Sequence, residues 1–525
     1  MYINCKSNSY QLRFSESFNS ISNTASSKKD TVIDILSKHL DLSSIIPPEF
    51  HFSYNSNRGA DRFYSLKSML SALILQKILG FNKTSQLIDL LHISKEVRDF
   101  CTFDKVPNKS QFSRFKTTFH AQLENLFNSL VIKTEPICRK LGENFASHLI
   151  LDTSGIEPYV AENNKKFFNK ILKQVKNQNK GKSKEDLYKI AYSLMPSSAA
   201  ANSNIKLMYI NGSFNYAYKF AILTNAHGIV RHISFADDIF VEKHPEIAEF
   251  QVKKKAKNKP AKAPVTSDTL FPLANNADNV VNVISNNQDS LSPDEDKSIG
   301  DSNFLEPVLS DFFSVVKRQS FNFHTFLADS AFDKIALYPT LMNTFGFKRV
   351  AIPINPRNSK PQNNSENKDF FINENGIPVC KKYNILFKDG HWVREKGRTP
   401  RHKWLCPKAK YNGKKRTCIC ETPCSDKAYG KTTYTYDHLD LRINPGIQRG
   451  SDKFRKVYKR RVVVERTIHS FKDSLAIGDT FQQNQYSIKS DLFLAGITQL
   501  LNVLIADKMA QLKNFKSFRR LLKSA

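Results

Sequence analysis

The chain has 525 residues, with 79 Lys and Arg against 49 Asp and Glu, a formal net charge of +30 and a pI near 9.6. Apolar residues make up 40%, with 39 Phe, so wholesale disorder is excluded, and the 18 Gly fall in no repeating pattern, which excludes collagen-like and Gly-rich classes. At about 100–200 residues per domain the length allows roughly three or four domains, and the positive excess has two readings: a polyanionic partner, or a composition that favours Lys and Asn throughout.

Residues 1–60 are Ser/Asn-rich. One helix is expected from Thr31 to Leu40, with a stop at Pro47-Pro48. Met1 to Glu16 lacks a basic start followed by an apolar block, so no secretory signal is read there. From Leu66 to Leu91 the apolar residues recur at helical spacing, and Gly80 divides the run into two helices. A third helix is expected from Gln111 past Phe119, with Ser110 as its N-cap. Residues 1–142 read as a small all-α domain.

At His148 the texture changes. His148-Leu149-Ile150-Leu151-Asp152 reads as a short strand ending in an acid. Strands follow at Tyr216–Leu223 and Ile229–Phe235, joined by the turn Asn225–Gly228. A helix fits Leu305–Lys317, then His324–Asp329 repeats the strand-then-acid pattern. A helix over Lys334–Phe345 and a strand over Arg349–Pro353 complete an α/β domain across residues 143–356. Polar stretches at 163–210 and 251–303 interrupt it. The second opens with the charge run Lys253–Lys259 and reads as a solvated linker or insertion.

Residues 357–445 hold five of the eight cysteines and both tryptophans. Without a signal peptide a reducing interior is expected, so the cluster points to metal before disulfides. Cys380, Cys406, Cys418 and Cys424 form the favoured zinc set, because the insertion lacks a strong apolar core of its own. Five thiols for four positions leave Cys420 as the doubtful exclusion, with His391 and His402 as possible substitutes. Five reduced, unliganded thiols are the alternative.

Residues 446–525 are expected to complete the α/β core, with helices at Lys453–Ser474 and Ser490–Leu512 and a basic tail at Lys513–Lys523. The longest apolar stretch, Leu492 to Ala506, contains Thr498, Gln499 and Asn502, and reads as a buried core helix rather than a membrane span.

Asp152 and Asp329 at strand ends sit where open α/β sheets place ligands, although acids there commonly serve as caps. The helix after the cysteines changes the weighing. From Arg449 to Lys472 nine Lys/Arg stand against two acids, Asp452 and Glu465. At about 100° per residue, Tyr458, Arg461, Glu465 and Lys472 share one face of a continuous helix. A solvated, salt-bridged face is the bland account.

That spacing, Tyr458-x2-Arg461-x3-Glu465-x6-Lys472, resembles the signature of the DDE transposases of bacterial insertion sequences. Leu151-Asp152-Thr153-Ser154-Gly155 and Leu327-Ala328-Asp329-Ser330-Ala331-Phe332-Asp333 are similar to that family's two aspartate motifs. Pro107 to Phe115 resembles its N-terminal DNA-binding region. The resemblance covers most of residues 60–510 apart from the insertions. It implies a ribonuclease-H-like catalytic core with an N-terminal all-α DNA-binding domain. It also implies a triad of Asp152, Asp329 and Glu465 holding two Mg²⁺ (or Mn²⁺) ions, and DNA strand cleavage and transfer. Arg461 and Lys472 would grip phosphates, and Tyr458 would pack against or hydrogen-bond the strand. Related transposases carry a similarly placed Cys-rich insertion.

The implied partners are the terminal repeats and target DNA, with a homodimer while bound to them. The expected location is the bacterial cytoplasm at the nucleoid, with no membrane partner. Two other functions fit the same residues: a catalytically inactive, transposase-derived DNA-binding protein, and a nuclease that cuts without joining.

Overall fold

The computed structural model describes residues 31–55, 62–210, 213–247, 300–316, 321–355, 370–373, 375–392, 401–436, 441–443, 445–478 and 480–524. The run Lys253–Lys259 and nearly all of the 251–303 insertion lie outside these residues. The structure is mixed α/β and divides into two compact units, Met1–Leu141 with His469–Ala525, and Gly142–Ile468.

The first unit is helical. Thr31 caps the helix Val32–His39 through a capping box with Asp34. Pro48 does more than stop this segment: it opens a second helix, Pro48–Tyr54, because its fixed φ and missing N–H suit a first helical turn. Gly80, at φ +72°, ends Leu66–Ile78 before Thr84–Ile93 begins. The cap of the next helix, Lys109–Thr118, is Asn108 rather than Ser110. The Asn108 side chain accepts from Gln111 N while the Gln111 side chain accepts from Asn108 N. A longer helix, His120–Leu141, follows immediately.

Residues 446–525 do not stay together as one part of the core. The helix Gln485–Lys508 packs against Leu66–Ile78, Lys109–Thr118 and His120–Leu141 in the first unit. It is long and apolar enough to cross a bilayer, yet 89% of its most apolar window is buried inside the protein. Its Asp491 is buried between two lysines, 3.0 Å from Lys77 Nζ and 2.8 Å from Lys116 Nζ. Burial alone would push the Asp491 carboxyl up, but the two ammonium groups overcome it and hold the pKa at about 2.

The second unit is built on one sheet. Its strands are β1 (His148–Ile156), β2 (Ser198–Ala199), β3 (Asn202–Ile210), β4 (Ser213–Thr224), β5 (Val230–Phe235), β6 (Thr325–Leu327) and β7 (Arg349–Ala351). The order is β2-β3-β4-β1-β6-β7, with β5 pairing the second half of β4. β1 runs antiparallel to β4 and parallel to β6, and β6 runs parallel to β7. Leu149, Ile150 and Leu151 of β1, Phe326 of β6 and Val350 of β7 are fully buried. A near-continuous apolar run is what a strand covered on both faces requires.

Three expectations need correction here. β1 does not end at Asp152: Thr153 to Ile156 continue its pairing with β4, Asp152 lying opposite Ile222. Residues 163–210 are not merely a polar interruption. They form the helices Lys165–Gln178 and Lys184–Ser193, and then β2 and β3, which extend the sheet. The segment Lys334–Phe345 is a short turn at Leu337–Pro339 followed by a π-helical turn at Thr340–Thr344, Pro339 having no N–H to sustain a regular helix.

The Cys-rich segment is strand-rich and has an apolar centre after all. Phe387–Trp392, Arg401–Leu405 and Thr432–Tyr436 form a three-stranded antiparallel sheet. Cys380 and Cys406 are buried with Ile377, Leu386, Trp404 and Ala409. Beyond it, Arg442 makes a fully buried pair with Asp333, 2.5 Å from Nη2 to Oδ2. Tyr338 donates to Asp333 (2.7 Å), and Arg449 donates to Tyr338 (2.7 Å) and to Ile352 O (2.8 Å). Gly446, at φ +73°, lies so close to β7 that an added Cβ would stand 2.0 Å from Lys348 O.

Candidate active site

Three segments bring carboxylates to one guanidinium. Asp152 comes from the middle of β1. Asp329 comes two residues after β6, where its side chain accepts from Ala331 N at 2.9 Å and caps a 3₁₀ turn. Glu465 comes from the first turn of the helix Val462–Asp473. Arg461 Nη2 lies 3.4 Å from both Asp152 Oδ1 and Asp329 Oδ2, and Arg461 Nη1 donates to Glu465 Oε1.

The continuous helix expected across this region is broken. Asp452–Tyr458 gives way to a 3₁₀ turn at Lys459–Arg461 before Val462–Asp473 begins. A 3₁₀ turn advances further per residue than an α-turn, so one helical wheel no longer describes all four signature residues. Arg461 and Glu465 still meet, being four apart. Tyr458 stays beside them: burial pushes its phenol up, Arg461 works against that, and Asp329, Glu465 and Asp152 add to it. Its ring stacks on Phe454 at 5.6 Å between centroids. Lys472 falls within the first unit.

The helix carrying Glu465 is seated on the β4–β5 turn. Thr467 Oγ1 donates to Gly228 O at 3.1 Å, and Gly228, at φ +87°, packs so closely that an added Cβ would lie 2.9 Å from Val463 Cγ1. The positive φ and the close approach both call for glycine here.

Burial dominates the electrostatics. It raises the Asp152 carboxyl to about 6, with Arg461 pulling down and Asp329 and Glu465 pushing up. Asp329 is raised as well, by burial first and against Arg461. Burial disfavours the Arg461 charge, but Asp152, Asp329 and Glu465 together more than offset it.

A fourth acid was not anticipated. Asp301, at the start of the helix Asp301–Val315, accepts from Thr153 Oγ1 at 2.5 Å and from Lys219 Nζ at 2.7 Å. Burial raises its pKa, but Lys219 brings it below the usual range, and its charge contributes to raising Asp329. The signal for it was Lys219 itself, a lysine inside the apolar strand Tyr216–Leu223, since a buried ammonium requires a partner.

Among the described residues no group of three or more His, Cys, Asp or Glu side chains is set to hold a metal ion. At the acids, the cation in their midst is Arg461. In the Cys-rich segment, the thiols of Cys380, Cys406, Cys418, Cys420 and Cys424 are free. Burial raises the Cys406 thiol, and Cys380, Cys424 and Cys418 add to the rise, so these four lie within one electrostatic neighbourhood. His402 is buried on its strand.

The first unit carries a cleft of about 270 Å³ whose lining includes Lys83, Lys109, Lys116, Ser113 and Phe481. Residues 22–118, which contain most of that lining, match the family model described as Transposase domain (DUF772). Over these residues the chain is similar to a transposase domain. The match supports a transposase function in general terms, and it spans Asn108 to Phe115 but none of Asp152, Asp329 and Glu465. No curated protein matches the chain.

Proposed function

We propose that the protein is a DDE transposase, with Asp152, Asp329 and Glu465 as its catalytic carboxylates on a ribonuclease-H-like core. The observation that carries this reading is the meeting of three acids, from three distant segments, at Arg461. The mixed sheet supports it: β1 has antiparallel strands on one side and parallel ones on the other, with acids on or beside the two central strands.

Carboxylates are the ligand type that suits Mg²⁺ or Mn²⁺. Mg²⁺ takes a few carboxylates and completes its shell with waters and substrate phosphates, so it does not require a closed protein cage. Two such ions supply an activated water and a stabilised leaving oxygen for in-line phosphodiester displacement. The chain's own residues do the rest. Asp152 and Asp329 are held by the sheet, and Glu465 by a helix seated on Gly228, so the carboxylates arrive preorganised. Arg461 offers a planar fork suited to a phosphate once released from the acids. Tyr458 borders the same space and is positioned to pack along the bound strand.

The first unit is the proposed DNA-binding region, with terminal repeats and target DNA as partners and the bacterial cytoplasm as the location. Joining two ends calls for a homodimer on DNA. The four neighbouring thiols Cys380, Cys406, Cys418 and Cys424 are the proposed ligands of a structural Zn²⁺, which thiolates enclose tetrahedrally.

The test is strand cleavage and joining with Mg²⁺ and terminal-repeat DNA. Asp152→Asn, Asp329→Asn and Glu465→Gln are each expected to abolish both while sparing binding. Full cutting by any one of them overturns the triad. Cutting without joining by the unaltered protein turns the reading to a nuclease, and binding alone to an inactive derivative.

A further inference from the structure

The segment between β1 and β3 forms a basic hairpin that the catalytic reading does not use. Its helices, Lys165–Gln178 and Lys184–Ser193, bury Leu172, Val175, Ile190 and Ala191 between them. Tyr192 packs on Phe168 at 4.6 Å between centroids and on Phe214 of β4 at 5.3 Å. The apolar surface is thus consumed internally, and the hairpin is tied to the sheet.

What remains outside is charge. Residues 165–193 contain nine lysines against Glu185 and Asp186, and all nine lysines are exposed. Asp186 is already engaged by Ser183 in the cap of the second helix. At about 100° per residue, Lys166, Lys170 and Lys173 line one side of the first helix, opposite Leu172 and Val175. Lys180, Lys182 and Lys184 crowd the connection. Such a concentration of like charge is self-repelling and is relieved by a polyanion.

Placement adds to this. The chain leaves β1 at Ile156, four residues beyond Asp152, about 13 Å at roughly 3.3 Å per residue. It enters the hairpin through the turn Ala161–Asn163. The hairpin therefore springs from the carboxyl end of β1, and Asp329 likewise follows the carboxyl end of the parallel strand β6.

We propose that the Lys166–Lys170–Lys173 face and the lysine-rich connection grip the phosphate backbone of duplex DNA without reading its sequence. Phe168 packs against both Tyr188 and Tyr192, so these rings are engaged with one another rather than set out as the stacking platform that single strands use. The identity of the polyanion rests on the transposase reading; the surface is additional to it.

The experiment measures binding of the full chain to random-sequence duplex over a salt series, without divalent cation. K166Q/K170Q/K173Q removes three charges and keeps good helix formers. It is expected to bind more weakly, with the slope of log K against log salt shallower by up to about 2.7, at about 0.9 per phosphate contact. K166R/K170R/K173R is expected to keep the original slope, with unchanged helix content by circular dichroism in both. An unchanged slope and affinity in the Gln variant overturn the proposal, as does equal loss in the Arg variant. Loss of binding to anionic lipid vesicles with DNA binding intact also overturns it. Metal-free binding does not depend on cutting, so the result stands or falls separately from the triad.

Discussion

Asp152 of β1 and Asp329, two residues past the end of the parallel neighbour β6, both lie 3.4 Å from Arg461 Nη2. The parallel register His148↔Thr325, Leu149↔Phe326, Ile150↔Leu327 ends two residues before each acid, and the charge on Asp329 helps to raise the Asp152 carboxyl. Like charges brought together in a half-dry site resist ionisation, and Arg461 is the cation that answers both.

The raised Asp152 pKa makes this acid a cost to folding. The carboxyl ionises at 3.8 ordinarily and at about 6 in the folded chain. The folded state therefore binds more protons between about pH 4 and 6, and stability falls as pH rises through that window. Asp152→Asn is expected to stabilise the metal-free protein by about 3 kcal/mol well above pH 6, with the gain gone below pH 4. Urea titrations at pH 3.5 and 7.5 check this; a larger gain at the lower pH contradicts it.

Arg461→Ala removes the cation that three carboxylates share. The metal-free variant is expected to be less stable at neutral pH, because the acids then repel one another unopposed. Divalent cation is expected to raise its melting temperature more than it raises that of the unaltered chain, since binding supplies the missing charge. Thermal melts with and without Mg²⁺ measure the difference.

In the first unit, Asp491→Asn leaves Lys77 and Lys116 buried without a counter-charge. The expected cost is about 3–5 kcal/mol, read by denaturant unfolding at pH 7. The depressed Asp491 pKa means that its contribution is present above the ordinary value of 3.8 and is lost as pH falls through about 2. The gap between variant and parent should therefore close in strong acid.

Asp333 and Arg442 form a second buried pair, both fully inaccessible. Asp333→Leu or Arg442→Met alone is expected to cost about 3–5 kcal/mol, and the double variant less than either. A double-mutant cycle reports this coupling, and simple additivity would refute it. The pair fastens the segment after the cysteines to the loop that carries Asp329.

Zinc is expected at about one per purified chain, on the four-thiolate arrangement. Cys406→Ser, which removes the buried thiol that Cys380, Cys418 and Cys424 all influence, is expected to lower that ratio sharply. Metal analysis that finds none in the unaltered protein excludes the structural role.

Much of the architecture was legible in local pattern. The apolar spacing from Leu66, the break at Gly80 and the hairpin around Asn225–Gly228 all reappear, because helical periodicity, turn chemistry and strand alternation are local properties. The caps and breaks were less legible. Asn108 displaced Ser110 because its side chain reaches Gln111 N and the Gln111 side chain answers. The 3₁₀ turn at Lys459–Arg461 left no trace in a basic run that also suits an α-helix. The strand hidden at Asn202–Ile210 was obscured by its polar start, Asn202-Ser203-Asn204, whose residues are not buried.

By itself the sequence determined which acids stand out: one after each of two apolar runs, and a lone Glu in a basic helix four residues from an Arg. Such choices are written one residue at a time. The tertiary structure alone decided what meets what. It brought Asp152 and Asp329 to one guanidinium, put Arg461 among three acids, brought Asp301 to Lys219, and packed the helix bearing Asp491 against Lys77 and Lys116. Apart from Arg461 and Glu465, those partners are tens to hundreds of residues apart. Burial is what makes each pairing obligatory, because a charge removed from water must find its opposite or remain neutral.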